Sequence, residues 1–282
     1  MTLSGRSRVV IFTDLDGTLL DFSTYSFEKA FPALASIRQE HIPLVLCSSK
    51  TRKEIEYYRQ KMGNLHPFIS ENGGGIFIPS DYFDFQVQAP DTAIGRKGDY
   101  LVIRLGAQYS MLRNAIASLK KEGFRIRGFG DMSIAEIAEV TELSISEAAM
   151  AKERDFDEPF LFEGDERETG RLLMAIKAQG LHSTRGRFFH LLGDTDKGRA
   201  VAILISLFRK KFGRVTTVAV GDNPNDIPML EKTDYPVIVQ QHDGSYNQTI
   251  QIPGLIKAEG IGPEGWNRAL LTLLSAFRSG EQ

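Results

Sequence analysis

Val9-Val10-Ile11-Phe12-Thr13-Asp14-Leu15-Asp16-Gly17-Thr18 is the stretch on which the fold turns. Its first four residues form an apolar run without polar alternation, the pattern of a short strand covered on both faces, as in a parallel sheet flanked by helices. The run stops at two carboxylates one residue apart. Asp14 and Asp16 are thereby placed at the strand's C-terminal edge, where open α/β sheets bind ligands. Two acids that close resist joint ionisation unless a cation lies between them or one of them keeps a proton. Both conditions suit phosphoryl transfer: a magnesium ion keeps Asp14 ionised as a nucleophile, while Asp16 carries a proton to the leaving oxygen and later takes one from water. Gly17 permits the tight reversal that follows, and Thr18 offers a hydroxyl to hold it. Asp and Gly are also the residues of an ordinary turn, so the choice depends on what recurs downstream.

Size and composition narrow the classes. A chain of 282 residues has room for one large domain or two modest ones. A net charge of -2, with acids and bases interspersed, gives no electrostatic footprint for nucleic acid and none for a membrane surface, so a small-molecule partner is expected. Cys47 is the single cysteine, which excludes an internal disulfide and a thiolate-rich metal site; within Leu44-Val45-Leu46-Cys47 it reads as a buried, inert thiol. No window has the apolar length of a membrane span, and the polar stretch through Arg8 lacks a signal peptide's pattern, so a cytoplasmic enzyme is expected.

The buried-strand style recurs. Helical spacing over residues 27–40 leads to a second apolar run, 44–47, that ends in Ser48-Ser49-Lys50-Thr51-Arg52. Hydroxyls and backbone N–H groups at the start of a helix make an anion site, with Ser48 the candidate phosphate ligand and Ser49 and Lys50 beside it; Ser49 or Thr51 acting only as a cap to a helix ending at Met62 is the plainer alternative. Glu71-Asn72-Gly73-Gly74-Gly75 predicts a hairpin-like turn with positive φ. Lys197, in Asp194-Thr195-Asp196-Lys197-Gly198, falls at the start of a strongly apolar helix. The helix dipole disfavours a cation there, and such local conflicts mark functional sites, unless the lysine is simply solvated in an exposed first turn. A third buried strand, 215–220, ends in Gly221-Asp222-Asn223-Pro224-Asn225-Asp226, which can turn Asp222 and Asp226 toward one hard cation, or else let Asp226 cap a helix over 227–232.

Between these clusters, from about residue 83 to 191, strands are half-exposed and alternate with helices, which predicts an inserted smaller α/β domain with an open antiparallel sheet. The expected organisation is a Rossmann-like core of mostly parallel sheet, residues 1–82 and 192–282, with that insertion as a cap. A cap strand over 187–192 carries Arg187 and His190, with Arg185 just before it; alternation puts Arg187 with Phe189 on one face and Phe188 with His190 on the other. Closure over the site would hinge near 79–90 and 192–194.

Taken together, Asp14-Leu15-Asp16-Gly17-Thr18, Ser48, Lys197 and Gly221-Asp222-Asn223-Pro224-Asn225-Asp226 resemble the four motifs of the haloacid dehalogenase superfamily phosphatases, over the whole chain, and the insertion resembles their C2-type, subclass B cap. Ser48-Ser49-Lys50-Thr51-Arg52, Glu71-Asn72-Gly73-Gly74, Arg185-Gly186-Arg187-Phe188 and Gly262-Pro263-Glu264-Gly265-Trp266 are similar to the mannosyl-3-phosphoglycerate phosphatase family within it. The resemblance implies that Asp14 attacks phosphorus and Asp16 protonates the leaving oxygen. It implies Mg2+ held by Asp14, the Asp16 carbonyl and Asp222, with Asp226 in or just behind that shell, and a phosphate fixed by Ser48 and Lys197 with help from Asn225. Ser48 replaces the more usual threonine. Arg185, Arg187 and His190 are the candidate contacts to a sugar-glycerate substrate, mannosyl or glucosyl. Another sugar phosphate, such as sucrose 6-phosphate or a hexose phosphate, is the competing substrate. A catalytically silent phosphometabolite-binding module is the competing class, against which Asp16 counts, since a binder has no use for a second acid.

Overall fold

The computed structural model describes residues 7–90 and 92–280; the leader reading at the N-terminus and the domain limits at residues 1 and 282 fall outside them. Strand β1 (Arg8–Thr13) is the opening apolar run, and β2 (Leu44–Cys47), β3 (Phe68–Ser70), β4 (Gly75–Pro79), β5 (Ala93–Lys97) and β6 (Tyr100–Arg104) follow in the first part of the chain. Next come β7 (Ile126–Gly128), β8 (Asp157–Phe162), β9 (His182–Arg185) and β10 (Phe189–Leu192), then β11 (Val215–Gly221), β12 (Tyr235–Gln240) and β13 (Ile256–Ile261). The helices are α1 (Phe31–Gln39), α2 (Arg52–Met62), α3 (Tyr109–Lys121), α4 (Ile134–Thr141), α5 (Ile145–Lys152), α6 (Glu166–Ala178), α7 (Lys197–Phe212), α8 (Ile227–Leu230) and α9 (Pro263–Ser279).

Nine strands form one sheet in the order β13-β12-β11-β1-β2-β3-β4-β6-β5, parallel from β13 to β3 and antiparallel beyond. Alternation along β1 divides its side chains between two cores. Ile11 joins Ala33 and Ile37 of α1, Ile55 and Tyr58 of α2 and Leu270 of α9 on one face. Val10 and Phe12 join Val201, Leu204 and Phe208 of α7 and Met229 of α8 on the other. With both faces covered, the central strands have no use for polar alternation, and none is seen. Trp266 of α9 is fully buried, and its indole N–H donates to Thr13 Oγ1 at 2.9 Å, which pins the end of β1 just before the first acid.

The chain runs outward from β1 through β2 and β3 in one direction, and from β11 through β12 and β13 in the other. This is the strand reversal at which open α/β sheets gather their sites, and Asp14, Ser48 and Asp222 leave the C-terminal ends of the strands that flank it. Gly73 in the β3–β4 turn has φ +94°, and Glu71 and Asn72 before it are also left-handed, so the glycine-rich stretch is the hairpin its sequence predicts.

The second sheet, β7-β8-β10-β9, is antiparallel and packs α3 and α6 through Leu112, Ile116, Leu172, Ile176, Phe160 and Leu191. Three expectations need correction. Strands β5 and β6 extend the large sheet, whereas the sequence reading placed everything from residue 83 in the small one. They look like cap strands because most side chains of β5, the outermost strand, and several of β6 beside it are exposed or only partly buried. Strand β10 begins at Phe189, and Arg187 lies in the turn joining it to β9, so the expected face alternation does not extend back to Arg187. Helix α8 also ends earlier than expected, at Leu230.

Candidate active site

Asp14, at the end of β1, is buried, and Lys197, the first residue of α7, places its ammonium 2.6 Å from Asp14 Oδ1 and 2.7 Å from Asp226 Oδ1. The lysine is 1% exposed, so its position against the helix dipole is balanced by two carboxylates and not by water. Burial alone would push the ammonium's pKa down, but Asp14 and Asp226 outweigh it and the pKa is raised. The cap of α7 is Asp196, which accepts the N–H of Arg199 at 2.8 Å.

Asp226 does not cap α8. Its Oδ2 folds back to accept the backbone N–H groups of Asp222 (3.0 Å) and Asn223 (3.1 Å), closing the turn that presents Asp222. Asp222 Oδ1 accepts the Thr18 hydroxyl at 2.7 Å, and its Oδ2 accepts Asn223 Nδ2 at 2.5 Å. Thr18, read from sequence as a support for its own turn, thus orients an acid from the other end of the chain. Gly17, at φ +76°, passes so close to Asp222 that a Cβ there would lie 3.1 Å from Oδ2.

Asp14, Asp222 and Asp226 each offer an oxygen within 4.8 Å of the others. Burial drives the Asp14 carboxyl up to about 7 against the pull of Lys197, with Asp226 and Asp16 adding to the rise. Burial, then Asp226 and Asp14, raise Asp222 as well. Three buried acids around one ammonium carry excess negative charge, and an all-oxygen donor set is the set a hard divalent cation takes. The cluster fits a metal ion.

The other expected residues divide into those on the cavity and those beneath it. A cavity of about 220 Å³ lies between the two sheets and is lined by Asp14, Asp16, Ser49, Lys50, Asn225 and, from the small-sheet side, Arg185, Arg187 and His190. Ser48 is fully buried below its floor, with Oγ accepting the N–H of Lys50 at 3.2 Å. Thr51 caps α2 in a capping box with Glu54, so the capping alternative is true of Thr51. Lys50 pairs with Asp16 Oδ1 at 3.0 Å and Glu54 Oε1 at 3.4 Å and stands over the Tyr25 ring. These acids overcome the effect of burial and raise its pKa, so it stays an ammonium.

His190 Nδ1 lies 2.8 Å from Asp157 Oδ2, which also accepts Asn72 Nδ2 at 3.1 Å; Asn72 Oδ1 in turn accepts Asn225 Nδ2 at 3.2 Å. This polar chain joins the small-sheet side to the turn that holds Asp222. Arg187 is tied to the carbonyls of Val140 and Thr141 and to Glu142, while Arg185 lies over the Phe189 ring. Sequence reading missed Asn72, Asp157 and Arg154, a further cavity residue. Asn72 lies just past the end of β3, in the glycine-rich turn, while Arg154 and Asp157 are brought in by the docking of residues 150–157 onto the large sheet.

A family model described as haloacid dehalogenase-like hydrolase matches residues 11–96 and 160–247. The chain is 45% identical to a glucosyl-3-phosphoglycerate/mannosyl-3-phosphoglycerate phosphatase of Methanococcoides burtonii, over 94% of this chain and 97% of that one. It is 42% identical to a protein of the same name from Persephonella marina, over 96% and 99%. Among solved structures, a phosphatase of the haloalkanoate superfamily from Bacteroides thetaiotaomicron shares the fold with a TM-score of 0.65 at 18% identity, over 99% of this chain and 98% of that one.

Proposed function

The chain belongs to the haloacid dehalogenase-like hydrolases, and we propose that within that family it hydrolyses glucosyl-3-phosphoglycerate or mannosyl-3-phosphoglycerate through an aspartyl-phosphate on Asp14. The observation that carries the chemistry is the Lys197 ammonium bound to Asp14 and Asp226 inside a buried acid cluster. The substrate class comes from the relatives at 42% and 45% identity over nearly the full chain.

In this reading Asp14 attacks phosphorus, and Ser48 and Lys197 take up the charge of the transferring group, with Asn225 beside them. Asp16, held by Lys50, protonates the departing glycerate oxygen and then accepts a proton from the water that cleaves the phospho-aspartate. Asp14, the Asp16 carbonyl and Asp222 would hold Mg2+, with Asp226 in or just behind that shell. Bound there, the ion offsets the repulsion between an anionic nucleophile and an anionic phosphate. Arg185, Arg187 and His190 bound the substrate's far side. The same reading divides the chain into a core built on the nine-strand sheet and a cap carrying the four-strand sheet, with linkers near residues 105–108 and 193–195, and places the enzyme in the cytoplasm.

Purified protein with magnesium is expected to release phosphate from an aryl phosphate, and Asp14→Asn is expected to abolish the release. Unchanged activity in that variant removes the covalent mechanism, and absence of turnover by the native protein would favour a silent binding module. Equal kcat/KM for glucose 6-phosphate and glucosyl-3-phosphoglycerate removes the substrate assignment.

A further inference from the structure

A glycosyl-3-phosphoglycerate carries two anions, the phosphate that leaves and a glycerate carboxylate that does not. A carboxylate drawn into a closing cavity must meet a cation there, because an unpaired buried charge is strongly disfavoured. Lys50, Arg154, Arg185, Arg187 and His190 are the cationic or titratable nitrogens that line the cavity. Lys50 already serves two acids, Asp16 and Glu54. Arg187 is engaged by Glu142 and two carbonyls, with its side chain 46% exposed. His190 has one ring nitrogen committed to Asp157. Arg185 is exposed and lies over the Phe189 ring.

Arg154 differs from all four. Its side chain is 6% exposed and its orientation is set from two sides, with Nε donating to the Ala151 carbonyl at 2.9 Å and Nη1 to the Ser49 carbonyl at 2.9 Å. Its nearest acid, Asp157, stands 3.6 Å away and is shared with His190 and Asn72. Among the described residues no side chain or carbonyl accepts a hydrogen bond from Nη2. The Ser49 contact matters most. It moors an arginine from beyond the linker against the loop that carries Ser48, so a ligand whose carboxylate lies a few bonds from its phosphate can reach both groups at once.

We propose that Arg154 binds the glycerate carboxylate and is the residue that selects phosphorylated glycerates over plain sugar phosphates. This rests on the substrate class proposed above. An arginine so positioned can offer a charge-assisted hydrogen bond with fixed direction, whose loss costs roughly 10- to 100-fold.

The test compares kcat/KM for glucosyl-3-phosphoglycerate with that for its methyl ester, in native protein and in Arg154→Gln, Arg154→Lys and Arg185→Gln. The native enzyme is expected to prefer the free acid by at least about 10-fold, Arg154→Gln to bring the ratio close to one, and Arg185→Gln to keep it. Arg154→Lys, which keeps the charge if the glutamine variant fails to fold, is expected to reduce the ratio several-fold. An unchanged acid-to-ester ratio in Arg154→Lys or Arg154→Gln overturns the proposal, as does its collapse in Arg185→Gln alone. Native protein that cleaves an aryl phosphate but neither glycerate substrate overturns the substrate reading itself, a result distinct from failure of the Arg154 assignment.

Discussion

Thr18 and Asp222, 204 positions apart in the chain, are joined by a 2.7 Å hydrogen bond from the threonine hydroxyl to Asp222 Oδ1. With Asn223 Nδ2 on the other oxygen, the carboxylate is held in one orientation toward Asp14. Groups that orient a metal ligand commonly govern metal affinity by 10- to 100-fold. Thr18→Val keeps the shape and removes the donor, so the magnesium concentration giving half-maximal activity is expected to rise about 10-fold or more, whereas Thr18→Ser stays near the native value. A magnesium titration in which valine and threonine behave alike would sink this role.

Lys197 is the counter-ion of two buried acids, and replacing it with methionine leaves Asp14 and Asp226 facing each other unpaired. Breaking a buried pair in this way costs about 3–5 kcal/mol, and a divalent cation in the same cluster offsets part of the loss. The melting temperature of Lys197→Met is therefore expected to fall well below native in EDTA, and the gap to narrow in magnesium. Phosphate release is expected to drop by at least about 100-fold in both conditions. An equal deficit with and without the ion would show that the acids do not share a cation.

The core of this arrangement was legible because its signals are local. Short apolar runs mark buried strands, and the acids, hydroxyls and lysine sit immediately beyond them. What escaped reading depends on partners chosen over distance. Nothing within Ala93–Lys97 says which sheet it will join, and its half-wet edge imitates a cap strand. His182–Arg185 is too polar to read as a strand, yet it pairs with β10 along its whole length, which is why Arg187 falls in a turn. Asn72 and Arg154 take their meaning from residues 85 and 105 positions away, and Thr18 from one farther still.

Glu71 predicts a pH dependence. It is fully buried, and its carboxylate accepts the backbone N–H groups of Asp155, Phe156 and Asp157, tying the β3–β4 turn to the start of β8. Burial nevertheless pushes its pKa from 4.5 up to about 8, against Arg154 and those N–H donors. Between these two values the folded protein keeps a proton that the unfolded chain has released, so the group's contribution is full at low pH and is lost as pH rises toward 8. Glu71→Gln mimics the protonated form. The native-minus-variant difference in urea midpoint is expected to fall from pH 5 to pH 8; a difference that rises over that range would mean the N–H donors win over burial and the carboxylate is stabilised.

Gly73 supplies the strictest steric test of the site's framework. At φ +94°, a Cβ on it would lie 2.1 Å from the carbonyl oxygen of Asp196 and 2.9 Å from the nitrogen of Lys197. The β3–β4 turn therefore touches the first residues of α7, an approach reinforced by the Thr195 hydroxyl donating to the Gly73 carbonyl at 3.0 Å. Gly73→Ala must strain the backbone and also displace the residue that carries the ammonium against Asp14. Gly123, at φ +95° with nothing within 4 Å of its Cβ direction, isolates the first effect. Both alanine variants are expected to lose stability, by about 1–3 kcal/mol for the backbone alone and by more at Gly73, where overpacking adds to it. Only Gly73→Ala is expected to lower kcat, because only there does the added methyl reach α7. A Gly73→Ala enzyme with native kcat would show that the start of α7 yields without moving Lys197.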